Sequence, residues 1–348
     1  MSFTLPRTLF DLHGVVPAFA RRASLVASLA LPFALGAQRA DPARPISIPV
    51  RFDAHRIYVT PLTTRGDTLN FILDSGFDDD FLSAALVDRL RIPVDTVVEA
   101  NRRSFSVRLR DLKTSAAIPD LSAWAPNGGR FTVVPLSGDG LLIARASDAG
   151  VIGSPWLADR TWTFDYPAAQ LLLWPKGYAS PPDRAHRIPL GFRVGAQGRR
   201  TTQFARISFV VDGDSLDALF DTGATMNLTT EAQTALAAMG DNGPARRAGS
   251  FIGKAMFDRW RQRHPDWPVI ERAEDPTSFP MIRVPLITVA GFIVGPVWFT
   301  LRPEGAFPEY MSKFMDRPVI AALGGSALQY FRVTLDYPAA VAYFERPQ

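Results

Sequence analysis

One short segment occurs twice, and this duplication limits what the chain can fold into more than any other feature. The first copy is Phe71-Ile72-Leu73-Asp74-Ser75-Gly76; the second is Ala218-Leu219-Phe220-Asp221-Thr222-Gly223. An acid placed directly after a buried apolar strand is costly unless it is paired or hydrogen-bonded. Two such acids in matching surroundings predict a fold that brings them together. The surroundings do match. Thr163-Phe164-Asp165-Tyr166-Pro167-Ala168-Ala169 returns as Thr334-Leu335-Asp336-Tyr337-Pro338-Ala339-Ala340, and Ile152-Gly153 returns as Leu323-Gly324, both 171 positions later. Two copies of one structural unit imply a two-lobed domain, not a solenoid.

The chain has 348 residues, 47% hydrophobic, enough for a large core in two lobes of ordinary size. Its 25 glycines and 29 prolines favour short strands and many turns. The net charge is only +4 and the arginines are scattered, so no basic block points to nucleic acid. The absence of cysteine excludes disulfides and thiolate-bound metals. His13, His55, His186 and His264 have no ligand spacing, so neither a metal nor another cofactor is expected.

Arg21-Arg22 precede an apolar run from Ala23 to Ala37 that ends in small residues and turns polar at Gln38-Arg39. The run is shorter than the roughly 20 residues a membrane helix needs. It reads as an export signal over residues 1–37 and a periplasmic or extracellular protein, with an N-terminal anchor as the alternative. No stable membrane span is expected once the signal is removed.

Beyond the leader the pattern predicts a first lobe over 44–175, a Pro/Gly/Ser-rich linker over 176–185 and a second lobe over 186–348. Strand-like runs lead into both Asp74 and Asp221. Ser83 and Thr230 read as N-caps of short helices, and Asp165-Tyr166-Pro167 and Asp336-Tyr337-Pro338 as hairpin turns. Asp74 to Gly153 is 79 residues and Asp221 to Gly324 is 103. Phe251, Met256, Phe257 and Trp260 assign the surplus to a helical insertion at about 241–280.

Two carboxyl groups held close cannot both ionise easily; one pKa rises and they share a proton. Such a pair holds a water, draws a proton from it and supports the oxyanion on a carbonyl substrate. Ser75 and Thr222 suit fixing the two loops to each other, and Gly76 and Gly223 leave room for close approach.

The segments Asp74-Ser75-Gly76 and Asp221-Thr222-Gly223-Ala224, with Val151-Ile152-Gly153 and Leu323-Gly324, resemble the signatures of aspartic proteases of the pepsin/retropepsin type. The short lobes are more similar to the retropepsin-like unit of bacterial aspartyl proteases, here with two units in one chain. The resemblance implies a mainly β, bilobal acid-protease-like β-barrel fold with short helices. It also implies a cleft between the lobes and an endopeptidase acting on a peptide or protein substrate. Asp74 and Asp221 then form the catalytic dyad, supported by Ser75, Gly76, Thr222 and Gly223. Two features depart from the family pattern. Bulky Phe77 stands where a small residue is usual, and Asp78-Asp79-Asp80 follows it. These acids read as a solvated loop, or as charges that raise the dyad's pKa or favour a basic substrate. The flap is sought at Arg103 to Leu112, around Phe105 and Val107. Three functional readings follow: the protease, a catalytically inactive peptide- or ligand-binding protein on the same fold, and an envelope structural protein.

Overall fold

Each lobe is built on one mixed sheet, and the two sheets repeat the same strand order. The computed structural model describes residues 44–63, 66–99, 102–108, 118–119, 129–134, 149–176 and 186–346. The expected export signal, the linker beyond Lys176 and the 109–112 end of the flap candidate lie outside the described residues.

Lobe one contains β1 (Ile46–Ile48), β2 (Val50–Asp53), β3 (Arg56–Val59), β4 (Phe71–Asp74), β5 (Phe81–Ser83), β6 (Asp95–Glu99), β7 (Arg102–Arg108), β8 (Arg130–Val134), β9 (Gly150–Gly153), β10 (Thr161–Asp165) and β11 (Gln170–Trp174). Lobe two begins with β12 (Arg187–Pro189), β13 (Arg206–Val211), β14 (Asp214–Phe220), β15 (Thr225–Asn227), β16 (Arg246–Ala248) and β17 (Phe251–Gly253). It continues with β18 (Val269–Ile270), β19 (Met281–Val284), β20 (Ile287–Val289), β21 (Phe292–Val294), β22 (Val297–Arg302), β23 (Ala321–Leu323), β24 (Arg332–Asp336) and β25 (Val341–Glu345).

The first sheet runs β6-β7-β8-β5-β9-β4-β3-β2 and the second runs β18-β19-β22-β17-β23-β14-β13-β20-β21. The first seven positions correspond, and so do the strand directions. The acid-bearing strands β4 and β14 pair in parallel with β9 and β23. Strands β5 and β17 oppose β9 and β23 and run parallel to β8 and β22. This is the mainly β, internally duplicated, bilobal fold that the repeat predicts. The expected barrel is not closed, however. Among the described residues nothing pairs the first strand of either sheet with its last, so both sheets stay open.

A third sheet, β1-β11-β10-β24-β25-β12, joins the lobes. At its centre β10 and β24 pair antiparallel with Thr163 opposite Thr334, its own repeat partner. Their buried hydroxyls meet at 2.6 Å, and Trp174 Nε1–H donates to Thr163 Oγ1 at 2.7 Å. The two Asp-Tyr-Pro segments are turns, as expected. Asp165 accepts the Ala168 N–H and Asp336 the Ala339 N–H, both at 3.0 Å.

Two expectations are corrected. Asp80, just before β5, lies six residues after Asp74, whereas Ser250, just before β17, lies twenty-nine after Asp221. Nearly all of lobe two's surplus therefore sits between the acid and β17, as β15, the helix Thr230–Ala238 and β16, so it starts before 241 and ends by 250 instead of running to 280. The helix Lys254–Arg263 follows β17 as Ala84–Leu90 follows β5. Its Phe257 and Trp260 are buried, with Trp260 edge-on to Phe299 at 5.3 Å, so its apolar stripe belongs to the core of the repeat. The helix Thr230–Ala238 is capped by Thr229, not Thr230, through the Ala232 N–H at 3.1 Å. Ser83 caps its helix as expected.

Replacing Thr334 by Val keeps the shape but removes the inter-lobe hydroxyl bond and leaves Thr163 with the Trp174 N–H. Denaturant unfolding should show a loss of about 1–2 kcal/mol. An unchanged midpoint would mean that the inter-lobe hydroxyl pair contributes nothing.

Candidate active site

The sequence places an acid at the C-terminal end of each buried strand, and the fold points both at one spot. Phe71 to Leu73 and Ala218 to Phe220 are buried on both faces, which suits strands inside a sheet covered on either side. Each strand then breaks into a tight turn. Asp74 accepts the Gly76 N–H at 2.8 Å, and Asp221 accepts the Gly223 N–H at 3.1 Å.

The turns are locked to each other by a reciprocal set of hydrogen bonds. The Ser75 N–H donates to Thr222 Oγ1, and the Thr222 N–H donates to Ser75 Oγ, both at 3.0 Å. The Ser75 hydroxyl then donates to the Phe220 carbonyl at 2.7 Å, and the Thr222 hydroxyl to the Leu73 carbonyl at 2.8 Å. Both hydroxyls are fully buried, and each accepts once and donates once across the lobe boundary. Such a network specifies a unique arrangement because every member is satisfied.

The glycines let the acids meet. A Cβ on Gly223 would fall 2.0 Å from Asp74 Cγ, and one on Gly76 would fall 2.9 Å from Asp221 Cγ. Each carboxyl group thus lies over the other lobe's glycine, and the two acids come together at the lobe boundary. Two carboxyl groups brought together in this way ionise one at a time and hold one proton between them. Burial, then the charge of Asp221, hold Asp74 well above the usual carboxylate range, against the Gly76 N–H. Burial pushes Asp221 up to about 6, opposed by the Ala224 and Gly223 N–H groups, by Asp74 and by the Arg302 charge. Burial thus raises both acids and favours one proton held by the pair.

Both acids lie on the floor of a cleft of about 440 Å³. Lobe one contributes little else to it beyond Phe77 and Asp78; lobe two supplies an aromatic side from Phe204, Phe251 and Phe314 and a polar side from Asn227 and Glu274. Arg302 binds Glu274 through both Nη atoms, at 2.7 and 2.9 Å, and its guanidinium lies 3.6 Å from the centre of the Phe251 ring. These lining residues come from separated segments with no local motif, and the sequence offered no signal for them. The described part of the flap candidate is strand β7, with Val107 buried and Phe105 exposed; neither lines the cleft. Phe77 does not disturb the first turn. Its ring packs edge-on against Phe81 at 5.0 Å, and its carbonyl accepts the Ser154 N–H at 2.7 Å.

The three acids after Phe77 are not one solvated loop. Asp78 is exposed, but Asp80 is fully buried. Asp80 Oδ1 accepts the Gly153 N–H at 2.9 Å, while Oδ2 has no partner among the described residues. In lobe two the Ser250 hydroxyl does the same for the Gly324 N–H at 3.1 Å and also accepts from Ser326 at 2.8 Å. Asp80 and Ser250 are structural counterparts, each tying the start of β5 or β17 to the glycine beside the acid-bearing turn. Sequence reading missed this pair because their distances from the acids differ.

No known family profile and no curated protein matches this chain. Solved structures similar to it include conglutin gamma from lupine seeds, at 9% identity over 88% of this chain and 96% of that one, with a TM-score of 0.42. Basic 7S globulin from soybean is 10% identical over 87% of this chain and 95% of that one, with a TM-score of 0.44. An aspartic proteinase from Irpex lacteus is 10% identical over 88% and 98%, also with a TM-score of 0.44.

Burial pushes the Asp80 carboxyl up to about 7, helped by Asp79 and opposed by the Gly153 N–H. A raised acid binds its proton more tightly in the folded state, so its stabilisation is complete below the unfolded pKa near 4 and is lost as pH rises to 7. Asp80→Asn keeps an acceptor for Gly153 and cannot ionise. The variant should match the wild type near pH 4 and become the more stable protein towards pH 7, by at most about 4 kcal/mol. Unfolding measured across this range with a constant difference between the two proteins would contradict the assignment.

Proposed function

We propose that the chain is an aspartic endopeptidase that hydrolyses peptide bonds of a peptide or protein substrate with Asp74, Asp221 and one activated water. The observation that carries this reading is that two aspartates, one from each lobe, each lie over the other lobe's glycine on the floor of one cleft.

The chemistry follows from one proton shared by the pair. Ionised Asp221 takes a proton from the water as its oxygen bonds to the substrate carbonyl carbon. The carbonyl π electrons move to the oxygen, which protonated Asp74 supports by hydrogen bonding. Collapse of the tetrahedral species breaks the C–N bond, and the leaving amine takes the proton held by Asp221. An acid and an amine are released, and the pair again holds one proton. The apolar strands behind both acids keep the local dielectric low, which strengthens the interaction between them. The likeness to bacterial retropepsin-like units stays at the level of the motifs.

A second reading, a binding protein without turnover, is favoured by Phe77, which brings a large ring into the cleft where the family pattern has a small residue. The two readings separate in one assay. Purified protein should cleave an unfolded protein at acidic pH, and Asp74→Asn and Asp221→Asn should each lower kcat by roughly 10³-fold or more. Binding of the unfolded chain with no cleavage at any pH would establish the second reading. Cleavage surviving both substitutions would sink the first.

A further inference from the structure

The part of lobe two that has no counterpart in lobe one builds a second cavity, of about 290 Å³. Its floor is apolar: Met226, Leu236, Met281 and Trp298. Met226 belongs to β15, whose other residues Thr225 and Asn227 line the catalytic cleft. Alternate residues of a strand point to opposite faces, so this one short strand is the wall between the two spaces.

Lobe one closes the rim. The tip between β2 and β3, Ala54-His55, reaches over lobe two, where the Ala248 N–H donates to the Ala54 carbonyl at 2.9 Å. A Cβ on Gly325 would fall 2.4 Å from the His55 carbonyl oxygen, so the tip is seated closely. Ala54 and His55 both have positive φ, 48° and 64°. Residues with side chains hold that backbone at some cost, which the inter-lobe seating offsets.

Two basic side chains, His55 and Arg247, meet at this rim, with the Asp241 carboxylate beside Arg247. The His55 imidazole makes no hydrogen bond among the described residues, and Arg247 faces it across the cavity. Arg247 uses Nη1 on Asp241 at 2.7 Å and Nε on the Pro244 carbonyl at 2.8 Å, which leaves Nη2 without a hydrogen bond among the described residues. Burial, and then the Arg247 charge, lower the pKa of His55. An anion between them favours the protonated imidazole and gives the imidazole and the Arg247 Nη2 group an acceptor, with Asp241 remaining on Nη1. The volume equals that of roughly ten water molecules, which suits a ligand of about that many non-hydrogen atoms.

We propose that this cavity binds a small carboxylate with an aromatic body: the carboxylate between His55 and Arg247, the ring on Met226, Met281 and Trp298. Thioether sulfur and indole both favour an aromatic partner, and the mixed apolar floor with few polar groups is the usual make-up of a small-molecule site. A bound ligand would bridge the lobes and brace β15, and with it one wall of the cleft.

Isothermal titration calorimetry on the intact protein tests this with 3-phenylpropionate and its uncharged amide. The carboxylate should bind, and the amide should bind at least about ten-fold more weakly, because it cannot make the charged hydrogen bonds. His55→Asn, a residue that tolerates the left-handed turn, and Arg247→Gln should each weaken the carboxylate by a similar factor. No binding of the carboxylate, equal binding of acid and amide, or unchanged affinity in both variants would overturn the proposal. The readout is heat of binding, so its outcome is independent of whether the protein cleaves peptides.

Discussion

Everything near the cleft depends on one reciprocal contact, in which the Ser75 and Thr222 hydroxyls each accept a backbone N–H and donate to a carbonyl across the lobe boundary. A serine or threonine hydroxyl at a strand end ordinarily bonds within its own turn or to water. Here both are fully buried and fully used, so shifting one loop against the other would strand several polar groups at once. That constraint fixes the distance between two acids that would otherwise repel each other. The proton they share is a consequence of the lock.

The same duplication shows where the lobes have diverged. Both use a side-chain oxygen to hold the glycine beside the acid-bearing turn, but lobe one uses the Asp80 carboxyl and lobe two the Ser250 hydroxyl. A hydroxyl does this work at any pH, whereas a buried carboxyl makes the stronger hydrogen bond when ionised but then carries the cost of a buried charge. Burial raises Asp74, Asp80 and Asp221 alike. All three therefore favour the folded state more in acid than at neutral pH. Lobe two, in turn, carries the added β15–helix–β16 unit and supplies most of the cleft wall, so the symmetry of the two acids is not a symmetry of the cleft.

Much of this was legible in the sequence because it repeats, at an offset of 147 around the acids and 171 around the hairpins. The acids, their hydroxyls and glycines, and the Thr163–Thr334 hairpins all lie in segments where the two copies match residue for residue or nearly so. What was not legible lies where the offset breaks. Asp80 and Ser250 do equivalent work at unequal distances from their acids, so no alignment of the copies by eye pairs them, and a run of three aspartates reads as solvent-exposed. The stripe of Phe257 and Trp260 looks the same in a core helix as in an added one, which displaced the insertion. Adjacent Thr229 and Thr230 are equally good caps by type, and only the Ala232 N–H decides between them. The cleft walls, from Phe204 to Phe314, are assembled by the fold from residues with no shared local pattern.

The claim at the centre is that Asp74 and Asp221 hold one proton between them. Titration of the two side-chain carboxyl carbons by ¹³C NMR, assigned by comparison with the single Asp→Asn variants, tests it directly. The account predicts two coupled and well-separated steps, with the upper one above the ordinary carboxylate range. Two independent titrations, each near the ordinary aspartate value of about 4, would contradict it.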